Sequence, residues 1–460
     1  MGNKKNAWLK FDDTKKEEIF SFCEGYKKYI SDCKTERESI KEAISLAESK
    51  GYRDLKNVIS AGKSLKVGDK VYYNNMDKSL ALFLIGSESI ESGMRIIGSH
   101  VDSPRLDLKP NPLYEDSELS LMETHYYGGV KKYQWVTIPL ALHGVVVKKD
   151  GTKIDVVVGE EETDPVVMVS DLLVHLASEQ QQKKATEVIA GEDLNILVGS
   201  MPLEGEEKEA VKANILKLLK EKYDFEEEDF MSAEIEIVPA GKARDLGLDR
   251  SMVAGYGHDD RICAYTSLLA LLETENTKKT SVVLLVDKEE VGSIGATGMQ
   301  SRFFENAVAE LMDRVGEYSE LKLRRALANS KMLSSDVTAA FDPNYAGAYE
   351  KKNSAFFGKG LAFAKYTGAR GKSGCNDANA EFVAWLRNVM DENDVAYQMA
   401  ELGKVDQGGG GTIAYILAEY GMEVIDCGVA LQNMHAPWEV ASKVDIFETM
   451  RGYKAFLMAE

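Results

Sequence analysis

The stretch Ser281-Val-Val-Leu-Leu-Val-Asp-Lys-Glu-Glu-Val-Gly-Ser-Ile-Gly-Ala-Thr-Gly298 decides how the rest of the chain is read. Its five consecutive apolar residues, Val282 to Val286, form a short run rich in valine and leucine. Such a run predicts a strand buried on both faces, the kind found in parallel sheets. The run stops at Asp287, and two adjacent carboxylates, Glu289 and Glu290, precede a glycine-rich turn. Neighbouring strand side chains point to opposite faces, so two adjacent glutamates can converge on one ligand only where the strand has ended. In open α/β sheets ligands sit just past the carboxyl ends of strands, which is where this pair falls.

Working outward, other apolar runs end in a side chain able to hold a metal. Met94–Gly98 leads to His100, Lys331–Ser335 to Asp336, and Glu423–Ala430 to His435. Asp259 lies at the mouth of a helix expected from Arg261 to Leu272. If these strands are parallel neighbours, the groups meet along one edge of a sheet. Imidazole mixed with carboxylate suits zinc, manganese or cobalt rather than a thiolate-rich structural site. Two histidines and several carboxylates exceed what one tetrahedral ion needs and suit a pair of ions sharing a carboxylate.

Each residue also has a plainer reading. Asp259 can be a helix N-cap, Glu289 and Glu290 a solvated loop, and His435 a packing residue. His175, inside the apolar run Leu172–Leu176, is read as structural for that reason. Gly408–Gly411 looks like a phosphate loop but lacks the lysine that should follow, and Thr412 serves as an N-cap for a helix over 413–420. The metal reading draws its force from the recurrence of ligand types at strand ends.

Composition bounds the function. The chain has 460 residues, 44% of them apolar, and a net charge of −19, which excludes a nucleic-acid binder. No apolar run approaches a membrane span, and the first residues lack a signal-peptide core and a myristoylation pattern. Five widely spaced cysteines without a Cys-x-x-Cys pair read as reduced thiols, placing the protein in the cytoplasm. Residues 109–244 carry 15 Lys and Arg against 27 Asp and Glu, a net of −12, with alternating strand patterns over 135–147 and 153–158. That predicts an inserted β-rich domain, 109–244, within a catalytic domain built from 1–108 and 245–460. Two helices are expected over 14–50, strands over 70–73 and 79–85 about a turn at Asn74-Asn75, and helices over 302–328 and 377–390.

Five motifs in order resemble the aspartyl-aminopeptidase family of dinuclear metallopeptidases over nearly the whole length. They are Gly98-Ser-His-Val-Asp-Ser-Pro104, Asp259-Asp-Arg261, Glu289-Glu-Val-Gly292, Asp336 with the following Asp342-Pro-Asn-Tyr345, and His435 in Asn-Met-His-Ala. The resemblance implies an α/β, zinc-exopeptidase-like fold: a central mixed, mostly parallel sheet with helices on both faces and an inserted dimerisation domain. It implies two divalent ions, zinc before manganese or cobalt, with His100, Asp259 and Asp336 on one and Asp259, Glu290 and His435 on the other. Glu289 would be the general base, and Asp102 would orient the His100 ring. His143, in Pro139-Leu-Ala-Leu-His-Gly144, resembles a histidine that reaches a neighbouring subunit's site. The family acts on peptides and assembles dimers into tetrahedral dodecamers. One departure stands out: members preferring acidic residues carry a lysine where this chain has Ala364, and Lys365 comes one place late. An acidic preference is therefore not expected. A metal-dependent deacylase of N-acyl amino acids, or a cage protein with a vestigial site, are the alternative readings.

Overall fold

The computed structural model describes residues 5–460; the reading of the chain's first residues falls partly outside them, at 1–4. The chain divides into two compact units, one comprising residues up to Asp102 with Ala243–Met434 and Glu439–Glu460, the other Ser103–Lys242 with His435–Trp438.

The first unit is built on a nine-stranded sheet. Its order is Arg53–Asp54, Lys70–Asn75, Ser79–Leu84, Thr280–Val286, Met94–His100, Lys331–Ser335, Glu423–Gly428, Leu361–Ala364 and Tyr397–Met399. The run from Thr280–Val286 to Glu423–Gly428 is parallel, flanked on either side by antiparallel neighbours. The sheet is mixed, as expected, and its parallel portion forms the middle. Alternation along Thr280–Val286 explains its all-apolar composition. Val283 and Leu285 join a core with Ile19, Ile40, Leu268, Phe382 and Phe447, whereas Val282, Leu284 and Val286 join one with Val58, Phe304, Leu311 and Leu327. Helices thus cover both faces, and each fully buried Val or Leu contributes about 1.5–3 kcal/mol. A five-stranded sheet in the same unit orders Arg244–Leu246, Met252–Gly255, Glu439–Ser442, Ala430–Gln432 and Thr338–Ala339.

The second unit is an antiparallel seven-stranded sheet with a helix, Ala210–Tyr223. Its strand order is Lys153–Val158, Leu140–Val147, Ala233–Pro239, Arg105–Asp116, Leu119–Tyr127, Ile196–Gly199 and Met168–Val169.

Several element expectations shift. Helices occupy Asp13–Asp32 and Glu36–Ser49, the second opened by a capping box between Thr35 and Glu38. Asn74 and Asn75 stay in the strand, and the turn falls at Met76 and Asp77, both at φ 58°. The strand expected from Trp135 begins only at Leu140, after a turn of 3₁₀ helix at Lys132–Gln134. Residues 377–390 form a helix only from Ala380, and 413–420 only over Ala414–Ala418, where Thr412 Oγ1 accepts the Ala414 amide at 3.3 Å. The Leu172–Leu176 run, read as packed around His175, is exposed, with Leu176 69% accessible. A run of apolar residues cannot by itself tell a buried segment from a surface awaiting a partner. Among the described residues no helix is long and apolar enough to cross a membrane.

Candidate metal centre and active site

The parallel strands end together. Val286 lies opposite His100 in register, and the amide of Val101 donates to Val286 O at 2.9 Å. One strand along, the Asp336 amide donates to Cys427 O at 2.9 Å. After Val286 the chain turns through Lys288 at φ 73° into a short 3₁₀ turn, Glu289–Val291, closed by Gly292 at φ 95°. The left-handed positions bend the chain back, so Glu289 and Glu290 lie beside the strand ends rather than beyond them.

His100 is the hub. Its Nε2 lies 3.2 Å from Asp259 Oδ1, 3.8 Å from Asp336 Oδ1 and 3.9 Å from Glu289 Oε2. His100, Glu289 and Glu290 can offer ligand atoms to one ion, as can His100, Asp260 and Asp336. Burial alone would depress the His100 imidazole's pKa, yet hydrogen bonding to Asp102, Asp259 and Asp336 drives it well above its usual value. Burial raises the Glu289 carboxyl to about 8, helped by Asp336 and Asp259 and opposed by His100. Asp336 is raised by burial too, and Asp260, wholly buried, lies well above the carboxylate range. Buried carboxyl groups crowded around an imidazole need cations to be ionised together, so the donor set fits a divalent metal.

Asp102 meets the His100 ring through two of its groups. The His100 Nδ1 donates to the backbone carbonyl of Asp102 at 2.9 Å, with the carboxylate farther, at 3.3 Å. The Asp102 carboxylate also accepts the Glu289 amide on one oxygen and the Glu290 amide on the other, both at 3.1 Å. One fully buried residue therefore sets the imidazole tautomer and also holds the turn that carries both glutamates.

Asp259 is no simple N-cap. It and Asp260 are joined by a cis peptide and have non-helical dihedrals, so the helix proper starts at Arg261. Its amide donates to Glu439 Oε2 at 3.0 Å. His435, at φ 65°, falls in the segment grouped with the second unit, where its Nδ1 donates to Gly129 O at 3.0 Å. His143 is 2% exposed on Leu140–Val147 and pairs with Glu160 at 2.9 Å. Asp260 and Glu439 carry little signal in sequence alone. Asp260 looks like a doubled carboxylate at a helix mouth, and Glu439 like one acidic residue among many.

Comparison with known proteins places the fold and the family. The family described as aminopeptidase I zinc metalloprotease (M18) matches residues 29–457. The chain is 67% identical, over 98% of each sequence, to a Clostridium acetobutylicum protein named "Probable M18 family aminopeptidase 1". It is similar to the crystal structure of an M18 aminopeptidase from Thermotoga maritima, with a TM-score of 0.95 and 46% identity over 99% of both chains. A distant structural neighbour, the yeast mApe1 dodecamer, shares the fold with a TM-score of 0.77 and 20% identity, covering 95% of this chain and 96% of its own.

Proposed function

The chain belongs to the M18 family of zinc aminopeptidases and is a metal-dependent aminopeptidase, and from that premise we propose how its residues divide the reaction. His100, Asp259 and Asp336 would hold one divalent cation, and Asp259, Glu290 and His435 would hold a second, with zinc the favoured metal. The observation that carries this reading is the ring of carboxylate oxygens 3.2–3.9 Å from His100 Nε2, two of them, on Glu289 and Asp336, just past the carboxyl ends of parallel strands. Donation from the His435 Nδ1 to the Gly129 carbonyl supports Nε2 as the nitrogen that would meet a cation, and a left-handed histidine is the strained conformation often kept at functional sites. When bound, such a pair supplies Lewis acidity and lowers the pKa of water from 15.7 towards about 7.

Glu289 is the proton carrier. It takes a proton from the attacking water as the new C–O bond forms at the scissile carbonyl. It then passes that proton to the leaving amine as the C–N bond breaks, releasing the N-terminal residue and a shortened peptide. Glu289 Oε2 lies 3.9 Å from His100 Nε2, which places it to accept and return a proton at that centre. An acidic substrate preference is not part of this reading, because buried Ala364 stands at the diagnostic position and Lys365 is 3.7 Å from Asp377.

The inserted unit, proposed as residues 109–244, pairs with a second copy, and the pairs build a cytoplasmic dodecamer like the yeast neighbour. The exposed Leu172–Leu176 run supports this, since contiguous apolar surface marks an interface. Hydrolysis of aminoacyl anilides with free and with acetylated N-termini, before and after chelation, tests the reading. Metal-dependent release of aniline from free N-termini alone is expected, and release of acetate from the blocked ones alone would instead indicate a deacylase. Sedimentation velocity tests assembly, and a monomer at micromolar concentration would refute it.

A further inference from the structure

Glu439 is 1% exposed and opens the Glu439–Ser442 strand, its backbone opposite Gly255 at the end of Met252–Gly255. From Gly255 the chain runs through Tyr256, Gly257 and His258 to Asp259. The outer parts of this turn are tied elsewhere. Tyr26 Oη and His258 Nδ1 lie 2.5 Å apart, Arg261 Nη1 donates to Lys34 O at 2.8 Å, and a Cβ at Gly257 would strike the Arg261 guanidinium. The amide of Asp259 is held by Glu439 Oε2 at 3.0 Å. Because Asp259 has already left the helical conformation, no turn of helix fixes its backbone. We propose that Glu439 is a positioning residue for the metal pair: by accepting the Asp259 amide proton it fixes the carboxyl group that both cations share. The proposal rests on the reading of Asp259 as the shared ligand. Its physical basis is leverage, since moving one bridging carboxylate displaces a ligand of each ion at once. Loss of such outer partners generally costs about 10–100-fold in metal affinity.

The acceptor oxygen, rather than the charge, is what this role requires. Three variants separate the two: Glu439→Gln keeps an oxygen at the same reach, Glu439→Asp keeps the charge but withdraws the oxygen by one methylene, and Glu439→Ala removes both. Zinc dissociation constants are measured on the full-length protein by competition with a chromophoric chelator, alongside the melting midpoint of the metal-free protein. The expected result is zinc binding within threefold of wild type for Glu439→Gln. At least one zinc ion should bind tenfold or more weakly in Glu439→Asp and Glu439→Ala. A purely structural role would lower the metal-free melting midpoint and leave zinc affinity unmoved, which overturns the proposal. Equal losses in Glu439→Gln and Glu439→Ala overturn it as well. If Glu439→Ala fails to fold, the Gln and Asp variants carry the comparison. Asp259→Asn serves as the control: two zinc ions held normally there would refute the ligand reading itself, whereas lost zinc there with Glu439→Asp unaffected would refute only this proposal.

Discussion

Replacing Asp102 by Asn tests the division of labour within one residue. Its carboxylate accepts two amides, from Glu289 and Glu290, at 3.1 Å each, while its backbone carbonyl takes the His100 ring proton. Charge-assisted hydrogen bonds contribute about 1.5–3 kcal/mol each and neutral ones about 0.5–1.5. The Asn side chain retains one neutral acceptor and turns an NH₂ group against the other amide. The deficit is about 3 kcal/mol, which is roughly 150-fold if it falls on the transition state. The backbone carbonyl, the nearer of the two acceptors at the His100 Nδ1, is untouched. The expected result is therefore a large fall in kcat, with zinc binding at His100 weakened far less than in His100→Ala. Steady-state kinetics at saturating zinc, with chelator competition for affinity, read both quantities. A kcat within threefold of wild type would refute the clamp on Glu289. Loss of zinc equal to that of His100→Ala would show that the carboxylate, not the carbonyl, orients the ring.

Glu289→Gln should retain zinc by atomic emission and lose about 10²–10⁴-fold in kcat, the range for a general acid–base group; near-normal turnover would refute its role. Glu290→Ala should lose about one zinc per chain, and unchanged metal content would refute that ligand. Leu284, wholly buried beneath the centre, should cost about 2–5 kcal/mol on replacement by Ala, with a urea midpoint shift as the readout. A loss under 1 kcal/mol would mean that the sheet relaxes around the hole. Burial lifts the Asp445 carboxyl from 3.8 to about 7, although the Gly358 and Gly360 amides donate to it at 2.7 and 2.6 Å. Between those values the folded chain binds a proton that the unfolded chain has released. This contribution to stability therefore falls as pH rises through that window and is level above it. Asp445→Asn should flatten the pH dependence of the urea midpoint between pH 5 and 7, and an unchanged slope would contradict the assignment.

The candidate ligands at the strand ends were legible because two signals coincided: a run such as Val282–Val286 that only a sheet buried on both faces can use, and ligand chemistry directly after it. The site's supporting contacts were not, because they run through the backbone. Nothing in Gly98–Pro104 tells whether Asp102 meets His100 through its carboxylate or its carbonyl, and nothing marks Glu439 as the acceptor for an amide 180 residues away. His143 and His175 show the other limit. Each sits in an apolar run, yet one is buried against Glu160 and the other lies in an exposed segment, a difference set by tertiary packing rather than local pattern.

Anomalous diffraction at the zinc edge, from crystals of zinc-loaded protein, addresses the central claim most directly. Two peaks about 3.5–4 Å apart are expected, the spacing of ions that share a carboxylate. Asp259 should lie between them, His100 and Asp336 on one side, Glu290 and His435 on the other, with Glu289 outside both coordination shells. A single peak, or peaks coordinated by other residues, would contradict the two-cation mechanism.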